Sequence, residues 1–175
     1  MAAPRSGSDP HVRLLQVPTV HAIFGYLGNG KTTFARQMEA ETGGVRLSID
    51  DWMIGFCGDD LTTVPDIFGR TWALLEELWP RIVRSGVDVI LDMGFWARVD
   101  RDSARAIATE LGADFRMYWI KCDDEVARAR CMSRMDAKSL RFDSAAFDSF
   151  RYRFEALGPD EPVTVIENGP MTDAD

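Results

Sequence analysis

Short apolar segments and longer amphipathic segments alternate along the chain. The apolar segments are rich in Val, Ile and Leu and are bounded by Gly, Asp or Pro, which is typical of strands buried on both faces. They are Thr19–Gly25, Val45–Asp50, Val87–Asp92, Phe115–Cys122 and Val163–Glu167. The amphipathic segments predict helices at Lys31–Thr42, Pro65–Ser85, Ala97–Leu111, Asp123–Met135 and Ser144–Ala156. The alternation predicts one α/β domain in which crossover helices cover a parallel sheet.

The ends of the chain are polar and rich in small residues. Its 175 residues suit a single domain, and we expect an ordered core over about residues 12–168 between flexible termini. The first ten residues, MAAPRSGSDP, resemble no secretory signal, and no segment approaches the roughly 18 apolar residues that cross a bilayer. We therefore expect a cytoplasmic protein with no membrane association.

The charge balance and the cysteine content limit the kinds of partner and site that the protein is expected to have. The 20 Lys and Arg residues against 28 Asp and Glu residues give a net charge of −8, which argues against a broad nucleic-acid or membrane binder but leaves a local basic cleft open. Cys57, Cys122 and Cys131 cannot all pair with one another and have no metal-binding spacing. We expect reduced thiols, with a redox-sensitive Cys131 as the alternative.

The most specific motif is GYLGNGKTT at residues 25–33, which matches G-x-x-x-x-G-K-[ST] between a predicted strand and a predicted helix. Glycines let the backbone curl so that its N–H groups point into a phosphate site at a helix N-terminus. Lys31 is expected to bridge the β- and γ-phosphates, and the Thr32 hydroxyl to bind Mg²⁺. The motif thus predicts ATP and Mg²⁺ as cofactors. The predicted nucleotide-binding residues are Gly25, Leu27, Gly28, Asn29, Gly30, Lys31, Thr32 and Thr33.

Two acids are expected at strand ends, where ligands of open α/β sheets bind. Asp50 is the candidate base, which would orient the acceptor hydroxyl and take its proton. Asp51 is interpreted as the cap of the following turn. Asp92 is interpreted as support for Mg²⁺ or for Lys31 and Thr32. The alternatives are solvated strand-end acids and, for Asp92, a carboxylate that holds the turn at Gly94.

A local excess of arginine follows the fourth strand. From Arg128 to Arg153 there are seven basic and three acidic residues. Arg130 and Arg134 are four positions apart and share a helix face, so they could clamp the transferring phosphoryl group from a mobile lid, with Arg130 also binding nucleotide. A solvated helix face whose arginines pair with Asp124 or Glu125 is the alternative.

Aromatic residues concentrate near the expected acceptor side. Trp52 and Trp96 each follow a strand end and, with Phe95, could form an apolar wall for a ring-shaped acceptor. Core packing is the alternative for these rings. Arg98 and Arg101 follow Trp96, and either one could contact an anionic group or only cover the helix; Arg98 is the candidate substrate contact.

Four segments, GYLGNGKTTFAR, SIDDWM, VILDMGFW and RARCMSR, resemble the small P-loop kinases that include chloramphenicol phosphotransferase, zeta-toxin kinases and the kinase domain of polynucleotide kinase. The resemblance implies a three-layer P-loop NTPase fold with a five-stranded parallel sheet of order 2-3-1-4-5. It also implies the roles given above to Lys31, Thr32, Asp50, Arg130 and Arg134. Where polynucleotide kinases carry an arginine after the paired aspartates, this chain has Trp52-Met53-Ile54, which favours a neutral or partly apolar acceptor over a nucleic-acid 5′ end.

Together these features predict an ATP- and Mg²⁺-dependent phosphotransferase. The acceptor would be a hydroxyl of a small molecule, such as an antibiotic or another metabolite. A nucleotide or polynucleotide 5′-hydroxyl kinase and a non-catalytic ATP-binding switch are the two alternatives.

Overall fold

The sheet has the predicted topology. A computed structural model describes residues 17–58, 60–133, 140 and 143–169, so Arg134 lies outside the described residues. Five parallel strands are ordered β2-β3-β1-β4-β5, which confirms the predicted P-loop NTPase fold. The strands are β1 Thr19–Phe24, β2 Val45–Ser48, β3 Val89–Gly94, β4 Asp114–Lys121 and β5 Thr164–Glu167.

Helices cover both faces of this sheet. They are α1 Lys31–Thr42, α2 Ile49–Cys57, α3 Ile67–Arg84, α4 Arg98–Glu110, α5 Asp124–Ser133 and α6 Ser144–Ser149, with 3-10 turns at Leu61–Thr63 and Arg151–Arg153. Every residue of β1 and β3 is buried, which explains their near-continuous apolar sequence. Alternate residues of β1 enter two different cores: Ala22 packs with Leu75 and Trp79 of α3, whereas Ile23 packs with Ala35 and Met38 of α1.

Most predicted elements differ from the structure by one or two residues at their ends, and two of them differ in type or extent. The prediction that a strand continues to Asp50 is wrong, because β2 ends at Ser48 and α2 begins at Ile49. The Ser48 hydroxyl caps α2 by accepting a hydrogen bond from the Asp51 backbone N–H at 3.4 Å. Asp50 and Asp51 therefore occupy the first helical turn, where the positive end of the helix dipole stabilises carboxylates. The helix predicted over Ser144–Ala156 stops at Ser149 and continues only as a 3-10 turn.

Within the described ranges, no helix has the length and apolar character that a membrane span requires.

Candidate functional site

The glycine loop adopts backbone conformations that suit glycine. The φ angles of Gly28 and Gly30 are 75° and 92°, and α1 begins directly after Gly30. A Cβ atom at Gly28 would lie 2.1 Å from the carbonyl oxygen of Ala127 in α5, and one at Gly30 would lie 2.1 Å from the Asn168 side chain. The loop is therefore packed tightly against α5 and the segment after β5.

Gly28→Ala is expected to destabilise the protein by about 2 kcal/mol, because alanine disfavours a positive φ and its methyl group would collide with the Ala127 backbone. Gly55→Ala is the matched control: Gly55 lies in α2 with nothing within 4 Å of an added Cβ. That variant should gain about 0.5–1 kcal/mol from better helix propensity. Urea denaturation of both variants measures the difference; equal stabilities would contradict the tight packing of the loop.

Some side chains of the loop line the cavity, and others hold the loop against the rest of the domain. The Lys31 Nζ donates a hydrogen bond to the carbonyl oxygen of Tyr26 at 2.8 Å, close to where a phosphate would lie. The Asn29 side chain is instead buried, and its Nδ2 donates to the Ile120 carbonyl at 2.8 Å. The backbone carbonyl of Asn29 accepts a hydrogen bond from the Asn168 side chain at 2.6 Å. Asn29 thus ties the loop to β4 and to the segment after β5.

Thr32 and Asp92 form an oxygen-rich pair at the start of α1. Asp92 lies within β3, is 5% exposed, and forms a hydrogen bond with the Thr32 side chain. Burial raises the pKa of Asp92, and the positive charges of Lys31 and Arg46 oppose this rise. Hydroxyl and carboxylate oxygens are ligands that Mg²⁺ accepts, usually one or two of them together with phosphates and water. This pair therefore fits the magnesium site that the sequence predicts.

Arg46 is a buried cation beside this pair, and we did not predict it. Its side chain is 10% exposed; Nη1 lies 3.1 Å from the Asp92 carboxylate, and Nη2 pairs with Asp51. Its Nε lies 3.6 Å from the Glu39 carboxylate. An arginine inside the apolar strand segment Val45-Arg46-Leu47 was the available signal, because a buried cation needs acidic partners.

A cavity of about 390 Å³ joins the phosphate loop to an apolar chamber. Lys31, Thr32, Asp92 and Asp50 line its phosphate end. The chamber walls come from α2, α3, the β3–α4 connection and the segment around α6, and most of them are apolar. These wall residues include Met53, Phe68, Trp72, Met93, Trp96, Leu140 and Phe150. The arrangement can hold a polyphosphate at one end and a partly apolar molecule at the other, with Asp50 in the lining.

The predicted aromatic wall is present only in part. Trp96 lines the cavity, and its indole N–H donates to the Gly25 carbonyl at 2.9 Å, so it also braces the loop. Phe95 does not line the cavity: it is 2% exposed, and its ring packs edge-on against Trp72 at 5.8 Å. Trp52 also lies outside the lining and packs against Phe56. The wall comes instead from Phe68 and Trp72, which stack on each other.

Arg98 and Arg101 are both engaged away from the cavity. Arg98 pairs with Asp102 and Asp160, and these hydrogen bonds raise its pKa above the usual range. Arg101 is fully buried against Glu161, with 2.6 Å between Nε and Oε1. The residue of this helix that lines the cavity is Asp100, which we did not predict from the sequence. An acid in the first turn of a helix that follows a strand end was the signal.

The two arginines of α5 form hydrogen bonds with residues of neighbouring segments. Arg128 bonds to Ser144 and to Asp148, which joins α5 to α6. Arg130 donates to the Gly169 carbonyl at 2.9 Å and contacts the Cys122 sulfur at 3.5 Å, beside the segment that follows β5. Neither residue lines the cavity. The structure thus places Arg130 near the end of the sheet rather than near Asp50.

The remaining loop positions also lie outside the cavity lining. Gly25 has a φ of 155°, and a Cβ there would lie 2.7 Å from the Ile120 carbonyl. Thr33 is exposed on α1. The loop residues that do line the cavity are Leu27, Gly28, Gly30, Lys31 and Thr32.

Solved structures share this fold. A candidate kinase from Chloroflexus aurantiacus J-10-fl is 17% identical with a TM-score of 0.69, over 91% of this chain and 93% of that one. A sugar kinase from Janibacter sp. HTCC2649 is 21% identical with a TM-score of 0.60, over 87% and 86%. A chain of the Pnkp1/Rnl/Hen1 RNA repair complex is 24% identical with a TM-score of 0.65, over 79% of this chain but 44% of that one. These likenesses show that the chain shares the fold of the small P-loop kinases that its sequence resembles.

A search of curated proteins finds no match to this sequence. The comparison with protein families does find a match, because residues 20–157 match the family described as AAA domain. This range contains the phosphate loop, Asp50, Asp92 and the residues that line the cavity. The chain therefore belongs to the AAA domain family.

Proposed function

We propose that this protein is an ATP- and Mg²⁺-dependent phosphotransferase that moves the γ-phosphate to a hydroxyl group of a small molecule. One observation carries the proposal: the phosphate-loop residues Lys31 and Thr32, the acidic residue Asp50 and a set of apolar side chains all line one cavity. Phosphoryl transfer needs mainly positioning and charge stabilisation, and this cavity offers both beside a base.

Each polar group has a role in this reaction. Lys31 and the first amides of α1 would hold the β- and γ-phosphates, with Lys31 leaving its contact with the Tyr26 carbonyl. Thr32 and Asp92 would hold Mg²⁺, which supplies charge neutralisation on the phosphates when bound. Asp50 would orient the acceptor hydroxyl and take its proton as the new phosphorus–oxygen bond forms.

Arg130 fits the nucleotide side of this scheme. Its guanidinium donates a hydrogen bond to the Gly169 carbonyl, in the segment after β5 that also contacts the phosphate loop through Asn168. A contact with the nucleotide agrees with this position better than a contact with the acceptor. We retain Arg134 as the candidate clamp on the transferring group, because it follows Arg130 by one helical turn in the sequence.

The acceptor proposed here is a small molecule, such as an antibiotic or another metabolite, because the chamber is bounded by aromatic and aliphatic side chains. The similarity to a chain of an RNA repair complex supports a second candidate, a polynucleotide 5′-hydroxyl kinase. The expectation that nucleic acid is not a partner therefore stays open. The exposed Arg153, which borders the cavity, could contact a nucleic-acid phosphate.

A mass-spectrometric search tests the function directly. Protein, ATP and Mg²⁺ are incubated with a metabolite extract, with a panel of hydroxylated antibiotics, and with 5′-hydroxyl oligonucleotides, and Lys31→Ala is the inactive control. We expect a small molecule that gains one phosphoryl group only with the wild-type protein. Phosphorylated oligonucleotides alone would favour the second candidate. ATP binding without any phosphorylated acceptor would favour an ATP-binding switch.

A further inference from the structure

The chamber carries one carboxylate that the proposed reaction does not use. Asp100 lies in the first turn of α4 and lines the cavity together with Trp96 and Ala97. It is partly buried, and within the described part of the chain its carboxylate has no hydrogen-bond partner. A half-buried carboxylate without a bonding partner favours a ligand that brings a positive charge or hydrogen-bond donors.

The surroundings of Asp100 are negative. Burial, followed by the charges of Glu76 in α3 and Glu155, raises the pKa of Asp100, and only Arg101 opposes the rise. The guanidinium of Arg101 already has other partners, because it pairs with Glu161 and donates hydrogen bonds to the Phe95 and Trp96 carbonyls. Its charge is therefore already matched, and this end of the chamber keeps a negative potential.

Aromatic rings stand on two sides of the chamber. Phe68 and Trp72 stack with their ring centroids 5.9 Å apart, and Trp96 and Phe150 lie 5.9 Å apart. Ring faces attract organic cations, and a neighbouring carboxylate adds to that attraction. Among the described residues, the cations that line the cavity are Lys31, at its phosphate end, and Arg153, which is exposed.

We propose that the acceptor is an amino alcohol whose protonated amine binds Asp100 between the aromatic walls while its hydroxyl lies beside Asp50. The inference rests on the phosphotransferase function proposed above. The acceptor oxygen forms a bond to the γ-phosphorus, the bond from that phosphorus to ADP breaks, and the hydroxyl proton passes to Asp50. The amine takes no part in the chemistry. A neutral donor would give Asp100 a weaker hydrogen bond than a protonated amine does, a neutral acceptor without donors would remove water from Asp100 and replace none of its hydrogen bonds, and an anionic acceptor would be repelled.

Charge fractionation of the acceptor pool separates this inference from the function on which it rests. A metabolite extract is divided on a cation-exchange resin at neutral pH, and each fraction is incubated with the protein, ATP and Mg²⁺. We expect most of the phosphorylated product from the retained, cationic fraction. Product mainly from the flow-through would overturn the amino-alcohol inference and leave the kinase function standing. No product from either fraction would contradict the kinase function itself.

Asp100→Asn then tests the residue with the acceptor purified from the retained fraction. The KM for this acceptor should rise about 10- to 100-fold, since a charge-assisted hydrogen bond is lost, while kcat and the KM for ATP change little. The N-acetylated acceptor, which has no positive charge, should react equally with both proteins. Glu110→Gln removes an exposed charge from the end of the same helix and should leave every constant unchanged. An unchanged KM in Asp100→Asn would overturn the proposal.

Discussion

Asp50→Asn is expected to lower the rate of phosphoryl transfer about 10²- to 10⁴-fold while the affinity for ATP stays close to that of the wild type. Asp50 lines the cavity that Lys31 and Thr32 also line, and an amide of the same shape cannot accept the hydroxyl proton. The loss should therefore fall on kcat rather than on nucleotide binding. Single-turnover transfer and calorimetric titration with ATP, on the same preparation, measure the two quantities separately.

Asp51→Asn is the matched control, because it makes the same change one residue later in α2. Asp51 pairs with Arg46 and does not line the cavity. Its loss should affect stability more than transfer. Undiminished transfer in Asp50→Asn would mean that Asp50 has another role. Equal losses of transfer in both variants would indicate a disturbance of α2 rather than removal of a base.

Asp50 lines the cavity beside the phosphate loop, although the secondary structure predicted for it was wrong. We predicted a strand over Val45–Asp50, whereas Asp50 lies in the first turn of α2, which begins at Ile49 directly after β2. Both interpretations place it at the carboxyl edge of the sheet, because the chain leaves the sheet there in either case. The serine followed by two acids is a helix-start signal that the apolar residues around it obscured.

Sheet order was predictable for a different reason. Hydrophobic periodicity identified the five strands, but periodicity says nothing about which strands are neighbours. The order 2-3-1-4-5 came from the resemblance of the phosphate loop and its companion motifs to known kinases. The first motif is specific enough to select a topology, because its glycines have to stand between a strand and a helix.

Individual side chains were harder to place, since their environments depend on residues distant in the sequence. Phe95 and Trp96 are adjacent, yet Phe95 is in the core and Trp96 lines the cavity. Phe95 has a φ of 49°, so the chain turns there and strand alternation no longer applies. Arg101 is buried by a glutamate 60 positions later, a pairing that no local pattern indicates.

Arg46→Met is expected to destabilise the protein by about 3–5 kcal/mol, which is the usual consequence of removing one partner of a buried ion pair. The side chains of Arg46 and Asp92 are 10% and 3% exposed, so water cannot replace the lost cation next to Asp92. Methionine keeps much of the volume of the arginine side chain, so the loss of stability is due mainly to the missing charge. Urea denaturation at neutral pH measures the free energy of unfolding of both proteins. Arg81→Met, which breaks an exposed pair with Glu77, should cost less than about 1 kcal/mol.

The pH dependence of this loss identifies its cause. The folded-state pKa of Asp92 is already raised above its ordinary value of 3.8, and removal of Arg46 should raise it further. Between the unfolded and folded pKa values the folded state binds more protons, so stability falls as the pH rises through that window. The difference between Arg46→Met and the wild type should therefore be largest at neutral pH and shrink as the pH falls toward 3.8. Asp92→Asn in the Arg46→Met background should recover much of the stability, because it removes the buried carboxylate that has lost its arginine partner. A loss that is independent of pH and that Asp92→Asn does not relieve would show that Arg46 stabilises the sheet through packing and not through its charge.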